Sequence, residues 1–264
     1  MKRACQFLVA CILGCLLMPA RSLFAEEIVL HTVHVPPHVI DAALLPPPSD
    51  FAKTESVYGF DVDILRAAYA TQGVSVRIVL SPWKRIMRDV KAGLILGAVS
   101  CRRIPVREEF AIFSDHLSDS VNALVTRKSF LENEVTTLDT LKNYNVAVVN
   151  GWSQVGILES IGQPYTSVSG LDQGINVVLH RNQDVFMTER DSAIFAAKRM
   201  QIIDQLSFYD VTELDLDHYS VCFSKRYPDA EKWRDVLNKG LEELNTNGQR
   251  KALLKKYDIS FVIQ

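Results

Sequence analysis

The sequence predicts an α/β fold built on mainly parallel sheets. Short β-branched runs alternate with segments of helical period along the whole chain. Helix stops and starts are marked where the periods change, at Gly73, Ser81-Pro82 and Gly93. A buried-strand run at 94–100 ends in a polar turn rich in arginine.

The elements follow in order. Residues 28–35 are apolar and β-branched, hence a strand, and 38–58, with Pro46-Pro47-Pro48, is an irregular loop. A helix is predicted over 61–70, with Val62, Leu65 and Tyr69 on one face, and a strand over 74–80. Ser81 is placed to cap a helix at 83–92 whose first turn begins at Pro82, and Gly93 stops it. Beyond Asp115 strands are expected at 121–126, 145–149, 184–188 and 219–224. Helical segments are expected at 138–142, from Gly151-Trp152-Ser153-Gln154, at 171–180 and at 191–200. Pro228 opens a long helix with the stripe Trp233, Leu237, Leu241 and Leu244, and a last helix covers 249–257.

The first 25 residues have the pattern of an export signal. Lys2 and Arg3 precede an uncharged run from Phe7 to Met18, and Leu23-Phe24-Ala25 ends on a small residue. The run is shorter than the roughly 20 residues of a membrane span. Two lipoprotein-like boxes, ending at Cys11 and Cys15, would leave unusually short signals, so a freely soluble periplasmic product is expected rather than a lipid-anchored one. Cleavage after Ala25 leaves 26 basic residues against 31 acidic ones, a net charge near −5, which argues against nucleic-acid or membrane-surface partners. Of five cysteines only Cys101 and Cys222 remain, too few for a cysteine-based metal site.

Residues 93–115, GLILGAVSCRRIPVREEFAIFSD, carry the most functional information. Arg107 lies just beyond a strand end, where open α/β sheets bind ligands, and a guanidinium can hold a carboxylate through two parallel hydrogen bonds. Glycine, buried strand, polar turn, arginine and Phe113-Ser114-Asp115 together resemble the bacterial periplasmic solute-binding proteins of the polar amino-acid class, family 3. Val35-Pro36-Pro37, Gly59-Phe60-Asp61-Val62-Asp63, 146–151 and the Asn247-Gly248 turn extend the resemblance across the mature chain. It implies a two-lobed periplasmic-binding-protein fold of type II, each lobe a sheet flanked by helices, with two hinge strands. The lobes would be 26–118 with 219–264, and 119–218, after a signal peptide at 1–25.

The resemblance also implies ligand-binding roles. Arg107 would hold a solute carboxylate, unless it pairs at the surface with Glu108 or Glu109. Ser100 and Arg102 flank it; Arg102 and Ile104 replace hydroxyl residues usual in the family, and Arg102 either adds charge to the site or points into solvent. Gly151, Trp152 and Ser153 open a second-lobe helix whose unpaired N–H groups attract anions, with Trp152 a cleft wall or lobe packing. Glu189 stands where the family has an aspartate facing the ligand's amino group; its alternative is a surface glutamate beside Arg190. Trp83 is a candidate aromatic wall or a core residue, and His38 takes the place of an aromatic after the prolines. Leu96 replaces an aspartate common in relatives. His31, His34 and His38 mimic metal-ligand spacing, but the strand and proline turn around them argue against it, so neither metal nor other cofactor is expected.

A disulfide between Cys101 and Cys222 depends on a strand register that sequence does not fix. The implied function is capture of a small polar carboxylate-bearing solute, an amino acid or relative, by a monomer serving an ABC permease. Alternatives are a soluble sensor for a membrane kinase and a dehydratase-like enzyme on the same scaffold. No nucleophile–base pair or phosphate loop is apparent, so no catalytic residue is assigned.

Overall fold

The computed structural model describes residues 26–45, 56–128, 130 and 137–257. The export signal expected at 1–25 and the triple proline lie outside them. The chain opens with β1 (Glu26–Thr32), then a two-stranded ribbon of β2 (Ile40–Asp41) and β3 (Val57–Tyr58). Next come α1 (Phe60–Thr71), β4 (Val74–Leu80), α2 (Trp83–Ala92), β5 (Gly97–Arg102), the single turn α3 (Pro105–Glu108), β6 (Ala111–Phe113) and β7 (Ser118–Ser120). Crossing into the second lobe, it forms β8 (Asn122–Arg127), a 3-10 turn at Asp139–Asn143, β9 (Val146–Val149), α4 (Ser153–Ser160) and β10 (Tyr165–Val168). Then follow α5 (Leu171–His180), β11 (Val185–Glu189), α6 (Arg190–Arg199), a 3-10 turn at Ile203–Gln205 and β12 (Leu206–Asp210). The chain returns through β13 (Asp217–Ser224) and ends with α7 (Ala230–Thr246) and α8 (Gln249–Lys256).

One sheet has the order β4-β1-β5-β13-β6, with β7 also on β13, and the other β10-β9-β11-β8-β12. The parallel arrangement read from the sequence describes β4-β1-β5 and β10-β9-β11. Strands β13 and β8, beside the crossings between lobes, run antiparallel to their neighbours. Each sheet buries apolar side chains against its own helices, giving the first lobe a core around Leu30, Phe60, Leu65, Tyr69, Leu237 and Leu244 and the second one around Phe186, Ile175 and Ala193.

Helix α1 begins at Gly59, whose φ of 131° and 2.4 Å approach of an added Cβ to the His38 carbonyl oxygen leave room for no other residue. Helices α1 and α7 pack closely because Gly240 faces Ala68, where a Cβ would come within 2.1 Å of the carbonyl oxygen. Tyr69 spans this contact and donates its phenolic hydrogen to the Trp233 carbonyl at 2.8 Å, so its buried hydroxyl is satisfied.

Several expectations shift. The first strand stops at Thr32, and Val35 instead bridges Val39 across the proline turn. The predicted loop 38–58 contains the ribbon β2–β3. Ser81 does not cap α2; Pro82 occupies the cap position, and no side chain bonds there. The strand read at 94–100 lies at Gly97–Arg102, because Leu94 is 70 % exposed in the turn after α2. Strands β6, β7, β10 and β12 are too short or too polar to read from periodicity.

Candidate functional site

The site begins with an irregularity in β5. Cys101 faces Ser220 and Ala98 faces Cys222, so two residues, Val99 and Ser100, oppose Val221 alone. This is a β-bulge, a device that re-aims side chains. Ser100 takes a positive φ of 55° and donates its hydroxyl hydrogen to Asp61 at 2.6 Å, which holds the strained backbone in place. Ser114 braces the other side: its hydroxyl accepts the Val221 N–H at 2.9 Å, and its own N–H donates to the Val221 carbonyl at 3.0 Å.

Arg102 follows the bulge and reaches across to the second lobe. Its guanidinium donates to Ser153 at 2.7 Å, to Asn122 and Glu189 at 3.3 Å each, and to Ser120 at 3.4 Å. It also lies over the Tyr219 ring, 5.6 Å from the centroid. The sequence left its direction open; it points into the cleft. Glu189, at the end of β11 and 3 % exposed, is buried rather than a surface partner of Arg190. It also accepts hydrogen bonds from Ser192 at 3.1 Å and from Tyr219. Burial, with the Glu189 charge adding to it, pushes the Tyr219 phenol well above its ordinary range, so it remains a donor.

Arg107 is set by the short turn α3, which Pro105 starts. It is 8 % exposed, donates to the Arg102 carbonyl at 2.9 Å and lies 5.2 Å from the Trp83 ring centroid. Surface pairing with Glu108 is excluded: that carboxylate instead takes Arg103. Arg107 and Trp83 thus form one wall, with Val33 and Val35 beside them and Trp152, Ser153 and Glu189 opposite. Ser100, Arg102 and Tyr219 complete a cavity of about 30 Å³. That is room for water, against roughly 300–1,000 Å³ for an ordinary ligand pocket.

Two candidates lie elsewhere. Gly151 does not line the cavity; an added Cβ there would touch the Lys84 side chain at 3.1 Å. His38 is fully buried behind the cleft, 3.5 Å from Asp61 and 3.1 Å from Ser118, with its ring edge on Tyr219. It supports the wall without lining it. Burial alone would lower its pKa; the Asp61 carboxylate, aided by Glu189 and Asp191, outweighs this and raises it. His34 accepts the Asp41 N–H at 3.0 Å, and the three histidines of that segment form no cluster. Tyr219, Asn122 and Ser120 were missed from sequence, where nothing distinguishes them from structural polar residues.

Cys101 and Cys222 are free thiols. The bulge sets them diagonally, Cys101 opposite Ser220 rather than Cys222, which removes the direct cross-strand pairing that a disulfide would use. They meet in one buried cluster.

This two-lobed arrangement has relatives. Residues 40–259 match the model for bacterial extracellular solute-binding proteins, family 3. The chain belongs to that family. The solute-binding protein is 24 % identical over 219 residues to a probable histidine-binding protein of Campylobacter jejuni, covering 80 % of this chain and 81 % of that one. Its fold matches a substrate-binding protein of an ABC uptake transporter from Streptococcus pneumoniae with bound histidine, at a TM-score of 0.73 and 16 % identity over 88 % of this chain and 92 % of that one. It also matches a histidine kinase sensor domain similar to periplasmic binding proteins, at a TM-score of 0.74 and 16 % identity over 88 % and 96 % of the two chains.

Proposed function

We propose that this solute-binding protein captures a small carboxylate-bearing solute, an amino acid or a close relative, and hands it to the membrane subunits of an ABC permease. One observation carries the reading: two guanidiniums, Arg102 and Arg107, line a cavity between the lobes that holds a single carboxylate, Glu189. The lining therefore has an excess positive charge, and Arg107, its guanidinium carbon 5.2 Å from the Trp83 ring centroid, brings a forked donor set that suits a carboxylate.

The cavity is too small for such a solute while Arg102 spans it. Solute entry requires the lobes to part and Arg102 to withdraw from Glu189 or be shared with the incoming carboxylate. Binding energy then favours one hinge state over another. Capture of this kind breaks no covalent bond, so the protein works as a carrier and not an enzyme, as an exported monomer in the periplasm. The likeness to a kinase sensor domain supports a second reading, in which the partner is a sensor instead of a permease.

Purified 26–264, unfolded and refolded to remove bound solute, is screened by thermal shift against amino acids, dicarboxylates, keto acids and polyamines. A carboxylate that raises the melting temperature of the parent but not of Arg107→Ala supports the reading. A folded protein that answers only to cations overturns it, and consumption of a solute would make it an enzyme. Pull-down from membranes separates permease from kinase.

A further inference from the structure

Where the chain leaves the first lobe and where it returns, β7 and β13 run side by side, with Asp119 directly opposite His218. Their side chains meet at 2.5 Å, His218 Nδ1 to Asp119 Oδ1. A second imidazole, His116 from the turn before β7, stacks on His218 with centroids 3.9 Å apart and planes within 11°. A hydrogen bond accounts for Asp119 and His218; it does not account for an exposed second imidazole stacked on the first.

One ligand atom from each of the three residues lies within 4.8 Å of the others, the one such group among the described residues. We propose that His116, Asp119 and His218 form a binding site for a divalent transition-metal ion of the zinc class. Zinc takes imidazole nitrogen and carboxylate oxygen at about 2.0–2.2 Å in tetrahedral array, so ligand atoms around it stand roughly 3.4 Å apart. Binding therefore requires the cluster to close by about an ångström and the two rings to turn out of their stack, so that both in-plane lone pairs face one ion. Two imidazoles and one carboxylate suit zinc, nickel or copper and not calcium or magnesium, which take oxygen ligands. Water would complete the shell, because His116 is exposed and the other two are half-buried.

The electrostatics agree. Asp119 brings the negative charge that an incoming cation needs. Arg250 donates to the His116 and Leu117 carbonyls at 3.0 and 2.8 Å and so braces the turn from its backbone side. A bound ion would tie the outgoing strand to the returning one and stiffen the crossing on which lobe movement depends.

The test uses untagged 26–264, stripped with a chelator and titrated with zinc alone in competition with a chromogenic chelator. One equivalent should bind, and cobalt substituted for zinc should give visible d–d bands of an imidazole-ligated ion. His116→Gln and His218→Gln should each weaken binding by roughly tenfold or more, since even losing an outer hydrogen-bond partner of a metal ligand costs about that much. His31→Gln, on β1, should leave it unchanged. His116 is exposed, so its variant folds even if His218→Gln does not, and a circular-dichroism melt checks both. No binding, or binding that survives His116→Gln in a folded protein, overturns the proposal. Because the readout is the metal itself, it stands or falls independently of the solute.

Discussion

Arg102 and Glu189 form an ion pair at 3.3 Å with each side chain 4 % exposed, and the pair joins the end of a strand in one lobe to the end of a strand in the other. Charges this buried are held by mutual attraction and by hydrogen bonds to their remaining atoms. Here Ser153, Asn122 and Ser120 serve the guanidinium, while Ser192 and Tyr219 serve the carboxylate.

Removing one partner should therefore cost more than removing both. Arg102→Met is expected to lower stability by about 3–5 kcal/mol, because Glu189 is left buried without its cation. The double variant Arg102→Met/Glu189→Gln should recover a large part of that loss. Urea unfolding of the four proteins gives the coupling energy; strict additivity would mean the ion pair does not hold the lobes together.

Arg107→Lys retains the charge but not the forked geometry. Affinity for the carboxylate found in the screen is expected to fall at least about tenfold, and calorimetry measures it. Equal affinity in the lysine variant would reduce Arg107 to a point charge.

The buried His38 gives a pH dependence with a definite sign. Its pKa is raised on folding above the ordinary 6.5, so its contribution is fully present below that value and is lost as pH rises through the folded pKa. His31, His34 and His116 have lowered values, mainly through burial, and act in the opposite sense as pH falls. The difference in unfolding free energy between the parent and His38→Gln is thus the quantity to follow. It should shrink as pH rises above about 6.5, and a gap that widens with pH would contradict the assignment.

Gly240→Ala tests the contact between α1 and α7. The added methyl meets the Ala68 carbonyl oxygen, so the helices must separate, at a cost of roughly 1–3 kcal/mol. A thermal melt no lower than the parent's would show that the interface yields freely.

How far the sequence could be read follows from how local each signal is. Strand β4 and helices α2 and α5 were legible to the residue, because apolar period and flanking glycine or proline agree there. Short polar strands such as β7 carry no such period, since pairing with β13 creates them. In the cleft, Arg107 was legible from its place after a strand end. The direction of Arg102 was not, because a bulge decided it. His218 and Asp119 are 99 positions apart, and only the crossing of two strands brings them together.

The positive φ of Ser100 reaches further than one dihedral. Counted by twos along an uninterrupted strand, Arg102 would share a side with Ala98, and Cys101 would share one with Val99. The extra residue reverses this: Cys101 joins Ala98 in the buried cluster, and Arg102 opens onto the cleft. Valine or isoleucine at position 100 would resist the left-handed backbone and favour the regular strand. The thiol and the guanidinium would then exchange sides, so the charge of the cleft rests on a serine that carries no charge itself.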